Sequence, residues 1–392
     1  MGLKLKWRIF PKVADCLVCA FNVIVKFSLF NSECPHTNPA IAKPRIYLGK
    51  SATFSIIVSL LVASVSWADN LYQWINNEKE NDILCMFRFF QQTWTISIVL
   101  SLSLNRHKYL IFYNGILKLF AHRKRYGIAT LFTVKDIEKF QYTSFYIFLV
   151  STFSTLYILI INILKADYNI MNLIHACAYF VNVFSGTIST LHTIIWLKVY
   201  QSLFMKMHIE MKRVCEERRK NLSLDLADRL RLYNSFYTAC VINYENQTLV
   251  FTTIPYDVIH FIYVIVALGF SVLYLSFLLI HQDMEVKNGV IGGVLQSAFM
   301  CLTSYYMTER STYIQNTSDN LISYLLKYPI TKLNPNEANV VEDLINDLIY
   351  YKPILFPGHI FIIHKKLVPT MISHVITYSL MAVQFNVQQY FY

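Results

Sequence analysis

Thr370, His374, Thr377, Met381, Gln384 and Gln388 follow the i, i+4, i+7 spacing of one helix face in the last stretch of the chain, 368–392. Hydroxyl, imidazole, thioether and amide groups offer lone pairs and polar hydrogens without a fixed charge, so the stripe suits hydrogen bonding or solvation of an ion rather than bond-making. Ile372, Val375, Ile376, Leu380 and Val383 fall on the other faces. Two readings follow from the pattern. Either the stripe hydrogen-bonds to neighbouring helices, as most intramembrane polar residues do, or it lines a water-filled path. The stretch is long enough for both, since about 20 helical residues cover a hydrocarbon core of roughly 30 Å, and Pro369 suits a first turn.

A second set of polar and aromatic residues lies in other apolar stretches. Arg88, Gln91, Gln92 and Trp94 open one of them; His175, Tyr179 and Asn182 share one face of another; Tyr157, Tyr274, Gln296 and Phe299 occupy comparable depth on three more. Together they suit an outward-facing pocket with aromatic walls and a few polar anchors. Singly, each has a plainer role: Arg88 can snorkel to the surface, and interfacial Trp and Tyr belong to the aromatic belt. No phosphate-binding glycine loop, HExxH, GxSxG or intramembrane carboxylate pair is present, so neither an enzyme nor a cofactor is expected. Cys16 and Cys19 form a lone CxxC without a second pair, so no metal is expected. Cys85 and Cys177 lie near the expected outer surface, where a disulfide and two free thiols are both open.

The elements that must position these residues are membrane helices. The chain has 392 residues, 55% hydrophobic and 15% charged, with a mean hydropathy of +0.39, the composition of a polytopic helical membrane protein. Seven spans are expected, at 47–68, 83–104, 142–164, 171–197, 255–280, 288–307 and 368–385. Their centres hold no Asp or Glu and the whole chain only 10 glycines, which disfavours ion-coupled transport. Asp15 and Lys26 interrupt the first apolar stretch and no small-residue cleavage site follows, so 13–30 reads as interfacial or re-entrant, with an eighth span as the alternative.

Charge sets the orientation. The first 45 residues hold seven Lys/Arg and the loop 105–141 holds eight, whereas 69–82, 165–170 and 281–287 hold one Lys each. The amino terminus is therefore expected inside and the carboxyl terminus outside. This also accounts for the net charge of +11 without nucleic acid. G-protein-coupled receptors have the opposite orientation, and neither a DRY-type nor an NPxxY-type motif is present. The expected organisation is a cytoplasmic amino terminus, 1–45, and one seven-helix domain, 46–392. That domain includes two structured cytoplasmic segments, 198–254 and 308–367, and a last helix over 368–386.

In the first cytoplasmic segment Leu203, Phe204 and Met207 continue the fourth span beyond the membrane. Leu222, Leu226, Leu230, Tyr233 and Phe236 or Tyr237 make a second helical stripe. In the other, Asn334 reads as an N-cap, Pro335 as N1 and Glu337 as a first-turn acid, ahead of an apolar face of Val340, Val341, Leu344, Ile345 and Leu348. That helix lies at the membrane interface or makes a subunit contact.

Thr377, Tyr378, the five residues Ser379, Leu380, Met381, Ala382 and Val383, then Gln384 and Phe385 match the TYhhhhhQF signature of insect gustatory receptors. The chain resembles that family in these residues, in seven spans with an inside amino terminus, and in a long second cytoplasmic loop. The resemblance implies a ligand-gated cation channel in the plasma membrane of sensory neurons, a homotetramer or a heterotetramer with related receptors. The seventh spans would surround one pore, and a helix before them would anchor the subunits. Gln384 would face the pore near its outer gate with Phe385 beside it, Met381 and Gln388 on the same face, and Thr377 and Tyr378 holding the helix against its neighbours. Sugar-sensing members carry an acidic residue after the TY pair; Ser379 stands there here, which favours a bitter, plant-derived tastant. Odorant-receptor-type channels or co-receptor subunits are the alternative, then transporters. A carboxyl-terminal epitope tag is expected to be stained on intact cells; staining only after permeabilisation would overturn the seven-span orientation.

Overall fold

A computed structural model describes residues 31–33, 45–47, 106–122, 170–220, 225–251, 284–356 and 361–391, together with scattered helical positions between 57 and 160. Within the long helices, 170–193, 246–251, most of 284–300, Tyr378, Ser379 and 382–391 are described by backbone alone. The described residues are helical apart from Asp225, the connecting segments 327–334, 351–356 and 361–366, and two short antiparallel strands, β1 (Asn31–Glu33) and β2 (Arg45–Tyr47), closed by the Tyr47 hydroxyl donating to Glu33 Oε1 at 2.6 Å. The strands were not expected, and β2 ends on Tyr47, so any first span starts beyond that residue.

The helices are α1 (Arg106–His122), α2 (Ile170–Lys220), α3 (Leu226–Phe251), α4 (Met284–Leu326), α5 (Pro335–Tyr350) and α6 (Leu367–Phe391), with a 3-10 turn at Ile330–Lys332 between α4 and α5. Helix α2 has 51 residues and α4 has 43, lengths of about 77 and 65 Å. Both exceed a bilayer core of about 30 Å twofold or more. The span ends expected at Leu197 and Met307 are not helix ends: each helix runs unbroken into the segment read as cytoplasmic, as the spacing of Leu203, Phe204 and Met207 suggests for α2.

Helices α2 and α4 lie parallel, and polar contacts mark their register. Arg310 NH1 donates to Gln201 Oε1 (2.7 Å), the Tyr313 hydroxyl to Met205 Sδ (3.4 Å), and the Tyr328 hydroxyl to Cys215 O (3.0 Å). Between them, His208 Nδ1 lies 3.0 Å from Thr317 O. A carbonyl can only accept, so the imidazole presents Nδ1–H. Half-burial and nearby Lys212 hold its pKa below the ordinary value. Lys212 also lies over the Tyr324 ring and Arg219 over the Tyr328 ring, each at 4.9 Å.

Helix α3 runs back along α2. Phe204 meets Tyr237 edge to face, while Tyr200 accepts from Asn243 Nδ2 at 2.7 Å and meets Tyr244 at 5.1 Å. Helix α1 closes this layer along α3: Phe112, Tyr113, Ile116, Leu117 and Leu119 are buried in the common core, with the Phe112 and Tyr113 rings against Trp196 and Phe112 also near Tyr200. It falls in a stretch read as a basic loop. Its approach to α3 is set by Gly115, where any Cβ would overlap the Asn243 amide.

Helix α5 forms as its sequence specifies. The Asn334 side chain accepts from Glu337 N (2.8 Å), Glu337 Oε2 accepts from Asn334 N (3.3 Å), and Pro335 takes the first helical position. Val340, Val341, Leu344, Ile345 and Leu348 are all buried, against α3 and α4. The apolar face is thus used within the chain. A membrane-interface or subunit contact for α5 would have to use its other side, which exposes Ile349 and Tyr350.

Glu337 has a second role. Its carboxylate receives Arg218 Nε at 2.8 Å and NH2 at 3.0 Å, in a pair that is nearly inaccessible to solvent. The Arg218 hydrogen bond is the main cause of a lowered Glu337 pKa, and backbone N–H groups of Asn334 and Leu226 add to it. A carboxyl lowered in the folded state stabilises fully above its unfolded pKa of about 4.3 and loses that contribution as pH falls through the folded value. Thermal unfolding should therefore show an acid limb below about pH 4.5 that Glu337→Gln flattens, with a lower melting temperature at pH 7. An unchanged acid limb would remove Glu337 from this role. Leu344→Ala should cost about 2–5 kcal/mol by opening a cavity in the same core.

Candidate functional site

Helix α6 begins at Leu367, so Pro369 falls in its first turn as the sequence suggests. Only two described residues beyond that turn are buried, Met371 and Val375, one helical turn apart and on the side of α4. Everything else described beyond Pro369 is exposed: Thr370, Ser373, His374 and Thr377 on the polar side, and Ile372, Ile376, Leu380 and Met381 around them. Leu380 is 58% and Met381 48% exposed.

The exposed hydroxyls bond within their own helix. Thr370 Oγ1 donates to Lys366 O at 3.2 Å and Thr377 Oγ1 to Ser373 O at 2.9 Å. Thr370 and Thr377 therefore do not act as glue between described helices of this chain. Tyr378, Gln384, Phe385 and Gln388 belong to α6, but their side chains lie outside the described residues. This single face, apolar in part and lined by hydroxyls that need no partner, can either meet other copies or face water and lipid.

The start of α6 is mounted by a connecting segment that follows α5. Tyr351 O accepts from the Tyr237 hydroxyl (3.2 Å), Lys352 pairs with Asp319 (2.7 Å), Ile363 N–H returns to Leu355 O (2.9 Å), and Lys365 N–H donates to Thr312 Oγ1 (2.8 Å). Leu355 and Ile363 are buried in the common core. No sequence signal marks this mounting, because its partners lie far apart in the chain and neither end is a recognisable motif.

Of the pocket candidates, Arg88, Gln91, Gln92, Trp94, Tyr157 and Tyr274 lie outside the described residues. His175, Tyr179 and Asn182 lie on α2, and Gln296 and Phe299 on α4, with side chains outside them, as is the Cys85–Cys177 pair. The expected span 255–280 also falls outside. Between the first two expected spans Trp67 Nε1 donates to Thr93 Oγ1 at 3.1 Å, and within the second Ser97 Oγ donates to Thr93 O at 2.7 Å.

Among the described residues no helix is long and apolar enough to cross a membrane. Yet helical positions there expose large apolar side chains in runs. Ile57, Leu61, Val65, Tyr72 and Ile75 form one, with Leu61 and Val65 both 62% exposed, and Phe153, Leu156 and Ile160 form another. No group of described His, Cys, Asp or Glu residues could hold a metal ion. Cys215 is a buried free thiol, raised by that burial to about 12 and hence a poor nucleophile.

No protein-family model matches the chain, and no curated protein does. Solved structures do match. The insect olfactory receptor OR5 from Machilis hrabei superposes with a TM-score of 0.70 at 10% identity, over 93% of this chain and 97% of that one. The same receptor in complex with eugenol gives 0.67 at 12% identity, with the same coverage. At such identity the likeness concerns fold, and it runs nearly end to end: this chain has the fold of an insect olfactory receptor.

Proposed function

We propose that this chain is a subunit of a ligand-gated, non-selective cation channel of the insect chemoreceptor kind. The observation that carries the reading is α6. The helix with the TYhhhhhQF match is held to its own chain by Met371, Val375 and its first turn, while the rest of its described surface is open. A helix so placed needs other copies around it, and four such helices can enclose a pore. The likeness to OR5 supports this architecture.

The seven-span inverted topology has support of its own. Parallel α2 and α4 agree with a fourth and sixth span that both run from outside to inside, and their lower halves build the buried block with α3 and α5. The exposed apolar runs at 57–75 and 153–160 fit lipid contact in the plasma membrane. In this reading a ligand binds among the outer residues of α2, α4 and the neighbouring spans and biases the α6 helices apart. An apolar constriction then rehydrates, and Gln384 side chains offer oxygens to the cations that pass.

The signature favours a tastant, and Ser379 in place of an acidic residue favours a bitter or plant-derived compound over a sugar. A second reading, an odorant-receptor-type channel or a co-receptor subunit, is favoured by the likeness to OR5, which has been solved in complex with eugenol. Both readings share one test. Whole-cell recording from cells with the chain at their surface, challenged with eugenol and a panel of plant aromatics, sugars and bitter compounds, should reveal an evoked cation current. Gln384→Leu should change conductance or gating several-fold more than Ser373→Leu. Saturable flux without current would point to a transporter, and equal, negligible effects of the two substitutions would take Gln384 out of the pore.

A further inference from the structure

Four consecutive amides lead into α6, and each has an acceptor. Lys365 N–H donates to Thr312 Oγ1 at 2.8 Å, Lys366 N–H to His364 Nδ1 at 3.2 Å, Leu367 N–H to His364 O at 2.8 Å and Val368 N–H to Lys365 O at 3.2 Å. Pro369 follows and has no donor. Helix starts leave such amides unsatisfied unless something is supplied. Three of the four bonds are closed within the segment and would travel with it. Only the Lys365 bond reaches another helix.

The acceptor is fixed from its own side. Thr312 is buried, and its hydroxyl hydrogen is committed to Thr308 O at 2.7 Å, one turn back along α4. The remaining lone pairs are thus held in place for the Lys365 amide. Further along, the described residues that α6 buries on the side of α4 are Met371 and Val375, and apolar contacts of this kind resist sliding and rotation weakly because they lack direction. The Thr312 hydroxyl supplies a directional contact between α4 and the start of α6.

We propose that Thr312 is a positioning residue that couples α4 to the last helix, so that an axial shift or rotation of α4 is carried into the first turn of α6. Its consequence at the pore rests on the channel reading above. The coupling site is in the cytoplasmic third of α4, away from the outer residues Gln296 and Phe299 on the same helix. A displacement of the outer part of α4 reaches α6 through an unbroken helix and one hydrogen bond. The same bond works in reverse, since binding that favours one setting of α4 must be favoured by the matching setting of α6.

Valine nearly matches threonine in volume but leaves the Lys365 amide without its acceptor, whereas serine keeps the hydroxyl. The test compares the full-length wild type, Thr312→Val and Thr312→Ser in lipid nanodiscs by amide hydrogen exchange, with resting and eugenol-challenged currents recorded from the same three proteins in cells. Thr312→Val should accelerate exchange at Lys365 at least tenfold or so, and leave 340–348 in α5 unchanged. Thr312→Ser should stay within about twofold of wild type. The resting current should change with valine and return with serine. Unchanged exchange at Lys365 overturns the proposal, as does equal acceleration over 340–348, which would make Thr312 a general fold contact. Altered exchange with wild-type currents also overturns it. Absence of any current from the wild type would retire the channel reading instead, while the exchange data still decide whether Thr312 holds α6.

Discussion

One buried carboxylate gathers three helix ends. Glu337 caps the start of α5, receives both arms of Arg218 near the end of α2, and accepts from the backbone of Leu226 where α3 begins. Burying an ion pair brings little net stability by itself, because desolvation offsets the attraction; removing one partner is what costs. Its value is directional. Apolar faces such as Val340–Leu344–Leu348 can slide along a neighbour, whereas a two-armed guanidinium–carboxylate contact has one good geometry. The pair thus fixes how α5 sits on α2 and α3, and everything after α5 inherits that placement.

What it inherits is a rigid base for the last helix. The parallel pair α2 and α4 is cross-linked at three levels, by Arg310 with Gln201, Tyr313 with Met205 and Thr317 with His208, and Tyr328 just past the end of α4 adds a fourth contact to α2. The segment after α5 is fastened to α4 at Ser318–Asp319 through Tyr237 and Lys352, and again at Thr312. Beyond its first turn the described residues of α6 are exposed apart from Met371 and Val375. A firmly built block carrying a weakly covered helix suits the proposed gate, since regions with few buried contacts move at the lowest cost.

Local features were legible in the sequence and distant pairings were not. The N-cap, first-turn proline and apolar face of α5 could be read from Asn334 to Leu348, because each depends on residues three or four positions apart. The stripes of Leu203, Phe204, Met207 and of Leu222, Leu226, Leu230, Tyr233 and Phe236 or Tyr237 were legible for the same reason; Leu222 lies outside the described residues and the others are buried. Helix α1 was missed because Arg106, His107, Lys108 and Lys118 gave a basic loop by charge, although Phe112, Tyr113, Ile116 and Leu117 carry helical spacing. Arg218 and Glu337 are 119 residues apart and Thr312 and Lys365 are 53 apart; no periodicity joins them. In α6 the polar stripe was legible, but its two threonines satisfy themselves within the helix, a choice that spacing alone does not settle.

In the proposed channel the exposed face of α6 meets the same face of other copies around a shared axis. Met381 lies on that face, exposed and within the signature. In Met381→Cys protein oxidised in native membranes, a crosslinked dimer is expected on non-reducing gels that reduction returns to monomer, with Ile209→Cys, on the exposed flank of α2, staying monomeric. Monomer alone for Met381→Cys, in protein that reaches the cell surface, would contradict a shared pore.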